Sequence, residues 1–361
     1  MSPSNRASLA VDVFPGPSGA PVEVVSDPDA REWDDFVCAS PEATGYHLWA
    51  WRGIFERAFG HTTEYLAARQ GGRIVGVLPL VVFDSWLFGR FGVSLPFVNY
   101  GGVLAPDAEV ADALREAAVG VAERRHLTHL ELRHTSPRFP DLPVKQHKAA
   151  MRLPLRGGAE EAWQHLDRKV RNQVRKAERA GLVAEAGGAE LVADFYRVFA
   201  RNMRDLGTPV YTRRFFDQLV SSFPNRTRVW VVREGRVPVA ASLTFGWRGT
   251  IEVPWASALR ESRGSCANVL LYWTMIRDAT SAGYRTFDFG RSTPGEGTYH
   301  FKRQWGAEPS LLAWEYCLKP GAGLPNHSPT NPRFHLAIAA WRWMPMWLTL
   351  ILGPIIVRAI P

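Results

Sequence analysis

The richest chemistry in the sequence lies in Thr286–Ala307, TFDFGRSTPGEGTYHFKRQWGA. An apolar strand, Thr286–Phe289, carries Asp288 and ends at Gly290. Arg291, Tyr299, His300, Phe301, Lys302 and Trp305 then gather between glycine and proline turn points. Loops that merely connect elements are short and chemically plain, so a polar, aromatic loop of this length reads as part of a binding site. Asp288 can orient or deprotonate a nucleophile, or it can simply pair with Arg291. His300 is a possible base. The alternative for the aromatic residues is that they cap the edge of a core.

A second polar–aromatic cluster is Pro96-Phe97-Val98-Asn99-Tyr100-Gly101-Gly102. Asn99 and Tyr100 suit the opposing wall of a cleft, or a turn with a satisfied Asn. Tyr211, in Gly207-Thr208-Pro209-Val210-Tyr211, is either an acceptor contact or the lead-in to a helix. No metal-ligand spacing, Walker loop, nucleophile elbow or GxGxxG motif occurs, so metal, nucleotide-hydrolysing and dinucleotide chemistry find no support.

A helix expected within Ala159–Gly181 is strongly basic. At 100° per residue, Leu166, Val170, Val174 and Ala177 share one arc, and Arg168, Asn172, Arg175 and Arg179 share the opposite one. Six basic residues stand against Asp167 and Glu178 in 166–181, a local charge of +4. A solvated face would look similar, but few carboxylates four residues away neutralise this one. Arg168, Lys169, Asn172 and Arg175 are therefore candidate phosphate contacts.

These groups need a scaffold to bring them together. A strand at Val22–Val25 precedes a helix capped by Asp27-Pro28-Asp29, and a second helix is expected over His47–Phe59. Strands at Glu64–Arg69 and Arg73–Phe83 flank a Gln70-Gly71-Gly72 turn. A helix over Pro106–Arg125 and a strand at His129–Leu132 follow. The same order recurs: strands Arg228–Glu234, Val237–Phe245 and Thr250–Ser257, helix Ala267–Ala282, strand Arg285–Phe289. Meander, helix and strand seen twice indicate a duplicated α/β unit.

With 361 residues the chain is long enough for two domains, and 46% hydrophobic with 22% charged residues is a globular composition. The expected division is a disordered lead-in over 1–20, a first unit over 21–150, a second over 151–320 containing the basic helix 166–181, and an apolar tail over 321–361. Cys38, Cys266 and Cys317 form no CxxC or Cys/His cluster, which favours a reducing compartment. No apolar run precedes Asp12 and Pro15, so no secretory signal is expected and the location read from the sequence is cytoplasmic. A net charge of +8 favours anionic partners: phosphates, nucleic acid such as tRNA, or an acidic membrane face. The tail is almost wholly apolar over Trp343–Val357, with Pro345 and Pro354 inside it and Arg342 and Arg358 around it. It is short of the roughly 20 residues of a membrane span. Trp341, Trp343, Trp347 and the arginines suit a peripheral membrane anchor; a segment closing the core is the alternative.

Phe301-Lys302-Arg303-Gln304-Trp305-Gly306 resembles the F-K-x-x-W/F-G signature of FemAB-type acyltransferases. The order F-D-F-G-R-S-T, T-Y-x-F-K, W-G-A is similar to that of FemAB-like proteins associated with exosortase/PEP-CTERM systems. The basic helix resembles that of Fem enzymes, and the resemblance extends from Val22 to Leu318. It implies an α/β fold of tandem GNAT-like domains with mixed central sheets, and transfer of an acetyl or aminoacyl group. Lys302 falls at the family's functional lysine, where a cation would face the oxyanion of the tetrahedral intermediate. Arg291, Tyr299, Phe301 and Trp305 become substrate contacts. The implied acceptor is a phosphate-containing glycan or a peptidoglycan-like precursor of the envelope or an exopolysaccharide. The donor is acyl-CoA or aminoacyl-tRNA, with no tightly bound cofactor. In Arg260-Glu261-Ser262-Arg263-Gly264-Ser265-Cys266-Ala267, Gly264 and Ser265 stand where GNAT domains meet the CoA pyrophosphate, although Glu261 and Cys266 depart from that pattern. A non-catalytic module that binds polyprenyl-diphosphate glycans is the competing expectation.

Overall fold

The computed structural model describes residues 20–86, 88–325 and 335–360, so the expected lead-in lies almost entirely outside the described residues. Two seven-stranded mixed sheets form the protein. The first is ordered β1 (Glu23–Ser26), β2 (Thr62–Gln70), β3 (Arg73–Ser85), β4 (Gly89–Val93), β5 (His129–His134), β14 (Ala313–Leu318), β6 (Val144–Lys145). The second, read from its opposite edge, is β8 (Leu182–Gly187), β9 (Thr227–Glu234), β10 (Val237–Trp247), β11 (Thr250–Ala258), β12 (Thr286–Ser292), β7 (Ala149–Pro154), β13 (Glu308–Leu311).

The duplicated α/β order read from the sequence is present, with β4 and β8 completing the two meanders beyond the strands expected. Each unit has an antiparallel meander whose fourth strand passes through a helix to a parallel neighbour. In the first unit β4 leads through α3 (Ala108–Arg124) to β5; in the second β11 leads through α8 (Ala267–Ser281) to β12. The strand beyond that neighbour is exchanged between units. β14, late in the chain, pairs with β5, whereas β7 pairs with β12, so the first sheet is completed by a strand from beyond the second, and the boundary expected at 150 falls inside β7.

Helix ends follow from their capping residues. The Asp29 carboxylate accepts the N–H groups of Arg31 and Glu32 to start α1 (Ala30–Ala39), and Asp107 accepts from Val110 at the start of α3. The basic segment is two helices, α4 (Ala159–His165) and α5 (Arg168–Arg179), where one was expected. Asp167 is extended and its side chain accepts the Lys169 N–H, which ends the first helix and caps the second. Val170, Val174 and Ala177 are buried as the arc reading requires. Thr286–Ala307 is not all loop: β12 continues to Ser292 and α9 (Gly297–Arg303) follows.

One apolar core serves both units. Phe55 and Phe59 of α2 (Ala50–Phe59) lie 6.5 and 5.2 Å, ring to ring, from Phe215 of α7 (Arg213–Ser222). Tyr46 stacks on Phe245 of β10 at 5.8 Å, and Trp51 meets Phe223 at 5.5 Å. α6 (Val192–Leu206) backs this layer with Phe195 and Phe199.

The tail forms α10 (His335–Trp343) and α11 (Met346–Val357), both packed on α6. Gly353 permits the close approach, because a Cβ there would stand 3.0 Å from the backbone N of Val210. One face is thus buried as a closing segment would be, yet Trp343 and Trp347 remain exposed. Among the described residues no helix is long and apolar enough to cross a membrane.

Because Phe215 is fully buried between the units, Phe215→Ala should cost about 3–5 kcal/mol. Both units should still unfold in one transition, since each buries its apolar face on the other. Urea unfolding followed by tryptophan fluorescence and by far-UV circular dichroism checks this; two separated midpoints in the wild type would show that the core does not couple the units.

Candidate active site

The parallel pairing of β11 with β12 runs only from Thr250↔Thr286 to Glu252↔Asp288, and beyond that rung the two strands are unpaired with each other. A carboxylate therefore sits on each arm at the base of a fork, between apolar neighbours Val253, Phe287 and Phe289. Side chains opposite one another in register share a face, which brings the two acids together. Both are buried, Glu252 at 7% exposure and Asp288 at 1%.

Their surroundings separate them. Asp288 accepts the Tyr100 hydroxyl at 2.7 Å, the Arg152 Nε at 3.1 Å and the Gly290 N–H at 2.8 Å. Glu252 accepts the Asn99 side-chain amide. Burial first, and then the charge of Asp288, push the Glu252 carboxyl well above the usual carboxylate range. Of the two acids, Asp288 has three donors and Glu252 is the one pushed toward its protonated form.

The first unit reaches across to complete this site. Asn99 and Tyr100 follow Leu95 and Phe97, both left-handed at φ 68° although neither is glycine. Such conformations cost on the order of 1 kcal/mol each and persist where packing dictates them; both side chains are buried. The chain after Tyr100 is gripped from two sides. His47 Nε2 lies 3.1 Å from the Gly102 carbonyl, and the Val103 N–H donates to His134 Nε2 at 2.9 Å. His47, pushed down to about 4 by burial, is neutral and donates from Nε2. Glu315 of β14 stands 2.6 Å from His134 Nδ1 and fixes that ring. Beside them opens a cleft of about 320 Å³ lined by Thr44, His47, Tyr100, Arg133, His134 and Arg138, among others.

Gly290 is what lets β12 turn here. It lies at φ 71°, and a Cβ would come 2.9 Å from the Val253 carbonyl oxygen and 3.2 Å from the Asn99 amide. The register of β12 against β7 shifts between Asp288 and Arg291, a bulge that re-aims the side chains around it. Lys302 on α9 is buried, and its ammonium donates to the carbonyls of Gly290 at 3.2 Å and Arg291 at 2.9 Å. Burial lowers it to about 8, with Asp288 opposing and Arg291 reinforcing the shift.

Asp288 pairs with Arg152, correcting the alternative in which Arg291 was its partner. Arg291 instead lies 5.3 Å over the Trp314 ring, with Arg133 4.3 Å from the same ring. Arg291 donates to the Val98 carbonyl at 3.3 Å, while Lys148 donates to the Thr293 hydroxyl at 2.7 Å. Among the described residues neither makes an ion pair. Burial lowers Arg291 to about 10 with Arg133 adding to the shift, and burial and then Arg291 lower Lys148. Two half-buried cations, one of them lowered further by the other, with no carboxylate in ion-pair contact among the described residues, make an anion-seeking patch.

Other candidates fall elsewhere. Phe301 and Trp305 pack in the second core against Tyr272, at 5.1 and 6.2 Å, so these aromatics serve the core edge. Tyr299 is half-buried beside the ring of the exposed His300. Tyr211 sits in the aromatic layer, 5.1 Å from Phe97 and 5.6 Å from Phe215, with Arg291 and Arg133 acting on its hydroxyl. Arg168, Lys169 and Asn172 line an open surface groove on α5, and Arg175 stacks 5.5 Å over Trp163. Gly264 and Ser265 lie just before α8, where expected. Glu252, Arg152 and Lys148 were not singled out in the sequence. Glu252 had one signal: it is the lone charge inside an otherwise apolar strand, Ile251-Glu252-Val253.

Residues 164–303, within the second unit, match the acetyltransferase (GNAT) domain family. FemX has a similar structure, with a TM-score of 0.60 at 14% identity, covering 81% of this chain and 96% of FemX. A tandem GNAT protein from the clavulanic acid biosynthesis pathway matches at a TM-score of 0.52 and 13% identity, over 84% of this chain and all (100%) of its own. The C-terminal domain of a putative lysylphosphatidylglycerol synthetase from Agrobacterium fabrum matches at 0.53 and 12%, over 79% and 90%. No protein of curated function matches the sequence. The fold is a tandem GNAT-like architecture.

Gly290→Ala should lose about 1–3 kcal/mol of stability through its left-handed backbone and the contact with Val253. Gly295→Ala, also left-handed but with nothing within 4 Å of its Cβ, isolates the backbone cost. Equal midpoints for the two variants in urea would show that the crowding at Gly290 is relieved without cost.

Proposed function

We propose that this protein is an acyltransferase that moves an acyl group from acyl-CoA to an amine or hydroxyl of a phosphate-bearing glycan precursor of the envelope or exopolysaccharide type. The observation that carries the reading is the Glu252–Asp288 pair at the base of the β11–β12 fork, one acid bound by donors and the other raised. The match to the GNAT domain family supports the donor class.

The donor's pyrophosphate suits the start of α8. That helix begins past the far end of β11, on the open side of the fork. No side chain caps it, and the space at Gly264 is open. Backbone N–H groups at such an end attract anions. The acceptor's phosphate suits the Arg291–Lys148 patch, which has the charge and lacks the counter-ion. The basic face of α5, whose cations make no ion pair among the described residues, is a second, more exposed place for the same chemistry.

In the reaction, the nucleophile's nitrogen or oxygen bonds to the thioester carbonyl carbon and its proton passes to the Glu252 carboxylate. The carbon–sulfur bond then breaks, and that proton leaves with the thiolate as CoA thiol. Asp288, held by three donors, keeps the affinity of Glu252 for a proton high. Lys302 supplies positive charge near the developing oxyanion and also ties α9 to the Gly290 turn.

Acting as base, Glu252 must first lose its proton, so kcat/KM should rise with pH through its raised value. Lys302, at about 8, should lose its charge above that pH and bring the rate down again. Glu252→Gln should lower kcat by roughly 10²–10⁴ while leaving the melting temperature near that of the wild type. Labelled acetyl-CoA with lipid-linked glycan extracts, followed by release of CoA thiol and transfer of label, measures both. Undiminished transfer by Glu252→Gln would overturn the role of Glu252. Glycan binding by the wild type with no transfer from acetyl-CoA would make the protein a binding module, and transfer from charged tRNA alone would replace the donor.

A further inference from the structure

α11 has apolar side chains on both of its faces. Thr349, Gly353 and Val357, four residues apart, are buried against the fold. Trp347, Ile351 and Ile355, also four apart and on the opposite side, are 64%, 56% and 60% exposed, and Leu350 beside them is 38% exposed. α10 adds Leu336 at 86% and Trp343 at 90%. A surface helix ordinarily turns polar groups to water, as α5 does. Six large apolar side chains on one consecutive helix pair mark a surface that is covered by something other than water.

The charge around this face selects the covering. After Glu315 the sequence contains Lys319, Arg333, Arg342 and Arg358 and no acidic residue. Arg342 and Arg358 frame the apolar row, and their recorded partners are the backbone carbonyls of Leu206 and Gly60, which cancel no charge. A second copy meeting this face about a two-fold axis would bring arginine against arginine with no carboxylate between them. An anionic lipid surface satisfies both features: aliphatic groups and indoles enter the acyl boundary while the guanidinium groups meet phosphates. The exposed row from Trp347 to Ile355 rises about 12 Å along the helix, far less than the ~30 Å hydrocarbon core, so the helix lies in the plane of the interface.

We infer that α10 and α11 form a bilayer-docking face that seats the protein on an anionic membrane surface through Trp343, Trp347, Ile351 and Ile355, with Arg342 and Arg358 at the head groups. This inference is independent of the acyl-transfer reading.

The test uses the whole chain and vesicles of equal parts phosphatidylglycerol and phosphatidylcholine, compared with phosphatidylcholine alone. The wild type should float with the anionic vesicles and much less with the neutral ones. Trp343→Ser, Trp347→Ser and Ile351→Ser combined should cut the floated fraction at least about tenfold. Its melting temperature should not fall, because these side chains are exposed. Arg342→Gln with Arg358→Gln should weaken flotation and reduce its dependence on salt. A triple variant that floats like the wild type overturns the inference, and so does a wild type that floats with neither vesicle. A wild-type dimer in light scattering that the triple variant turns into a monomer overturns it in favour of self-association.

Discussion

Two carboxylates are buried side by side where two strands part, and water is largely excluded from both. Taking one charged carboxylate out of water costs several kcal/mol unless donors replace the solvent, and a second beside it raises that cost further. The structure meets this constraint from three directions. Tyr100 and Asn99 come from the first unit, Arg152 from the exchanged strand β7, and the Gly290 N–H from the bulge in β12 itself. The strained loop at Leu95 and Phe97, the two-histidine grip on Gly102 and Val103 and the left-handed glycine all keep those donors in place. The aromatic core shared by the units has the same consequence: with the units apart, Asp288 would lose Tyr100 and Glu252 would lose Asn99.

The duplicated fork shows what distinguishes a site from a brace. In the first unit the last parallel rung is Val93↔Glu131, the counterpart of Glu252↔Asp288. Glu131 is buried too, but Arg133 donates to it at 2.7 Å and the Tyr316 hydroxyl donates at 2.7 Å. Its carboxyl accordingly lies below the usual range: burial alone would raise it, and Arg133 with Tyr316 outweighs that. Two residues beyond the acid the first unit has Arg133 and the second has Gly290. The arginine fills its own fork and stabilises the acid there as an anion. The glycine leaves room, and the neighbouring acid stays protonated and available to exchange that proton. One architecture thus supports an acid lowered by its ion pair in one copy and an acid raised beside a second carboxylate in the other.

Much of this was readable in the sequence. Gln70-Gly71-Gly72 and Gly235 mark hairpins, and the apolar runs around them are long enough to be strands, so the repeated meander stood out. Asn99, Tyr100, Asp288 and Lys302 were conspicuous as polar groups among aromatic and glycine residues, and the fold brings these four to one place. Glu252 escaped because a single acid in a strand carries no periodic signal; its importance comes from the residue opposite, 36 positions later in the chain. Arg152 and Lys148 lie in or beside a short strand whose partners are far away in sequence, and pairing at that separation leaves no local trace. Phe301 and Trp305 misled in the other direction: aromatics near glycine suit stacking on a ligand and filling a core equally well, and only packing separates the two.

The exchange of β7 and β14 also bears on how the protein comes into being. During synthesis the first unit emerges with its meander, α3 and β5 complete, yet β5 must wait for β14, nearly two hundred residues away, to gain its second neighbour. Until Ala313–Leu318 has cleared the ribosome, one side of β5 is an open strand edge beside Glu131 and Arg133, both of which are buried in the finished fold. The nascent first unit is consequently a surface for unwanted pairing for most of translation. Closure of the chain onto β5 is a late, non-local event, and the step that completes the first sheet also delivers Glu315 to the histidine that holds the chain after Tyr100.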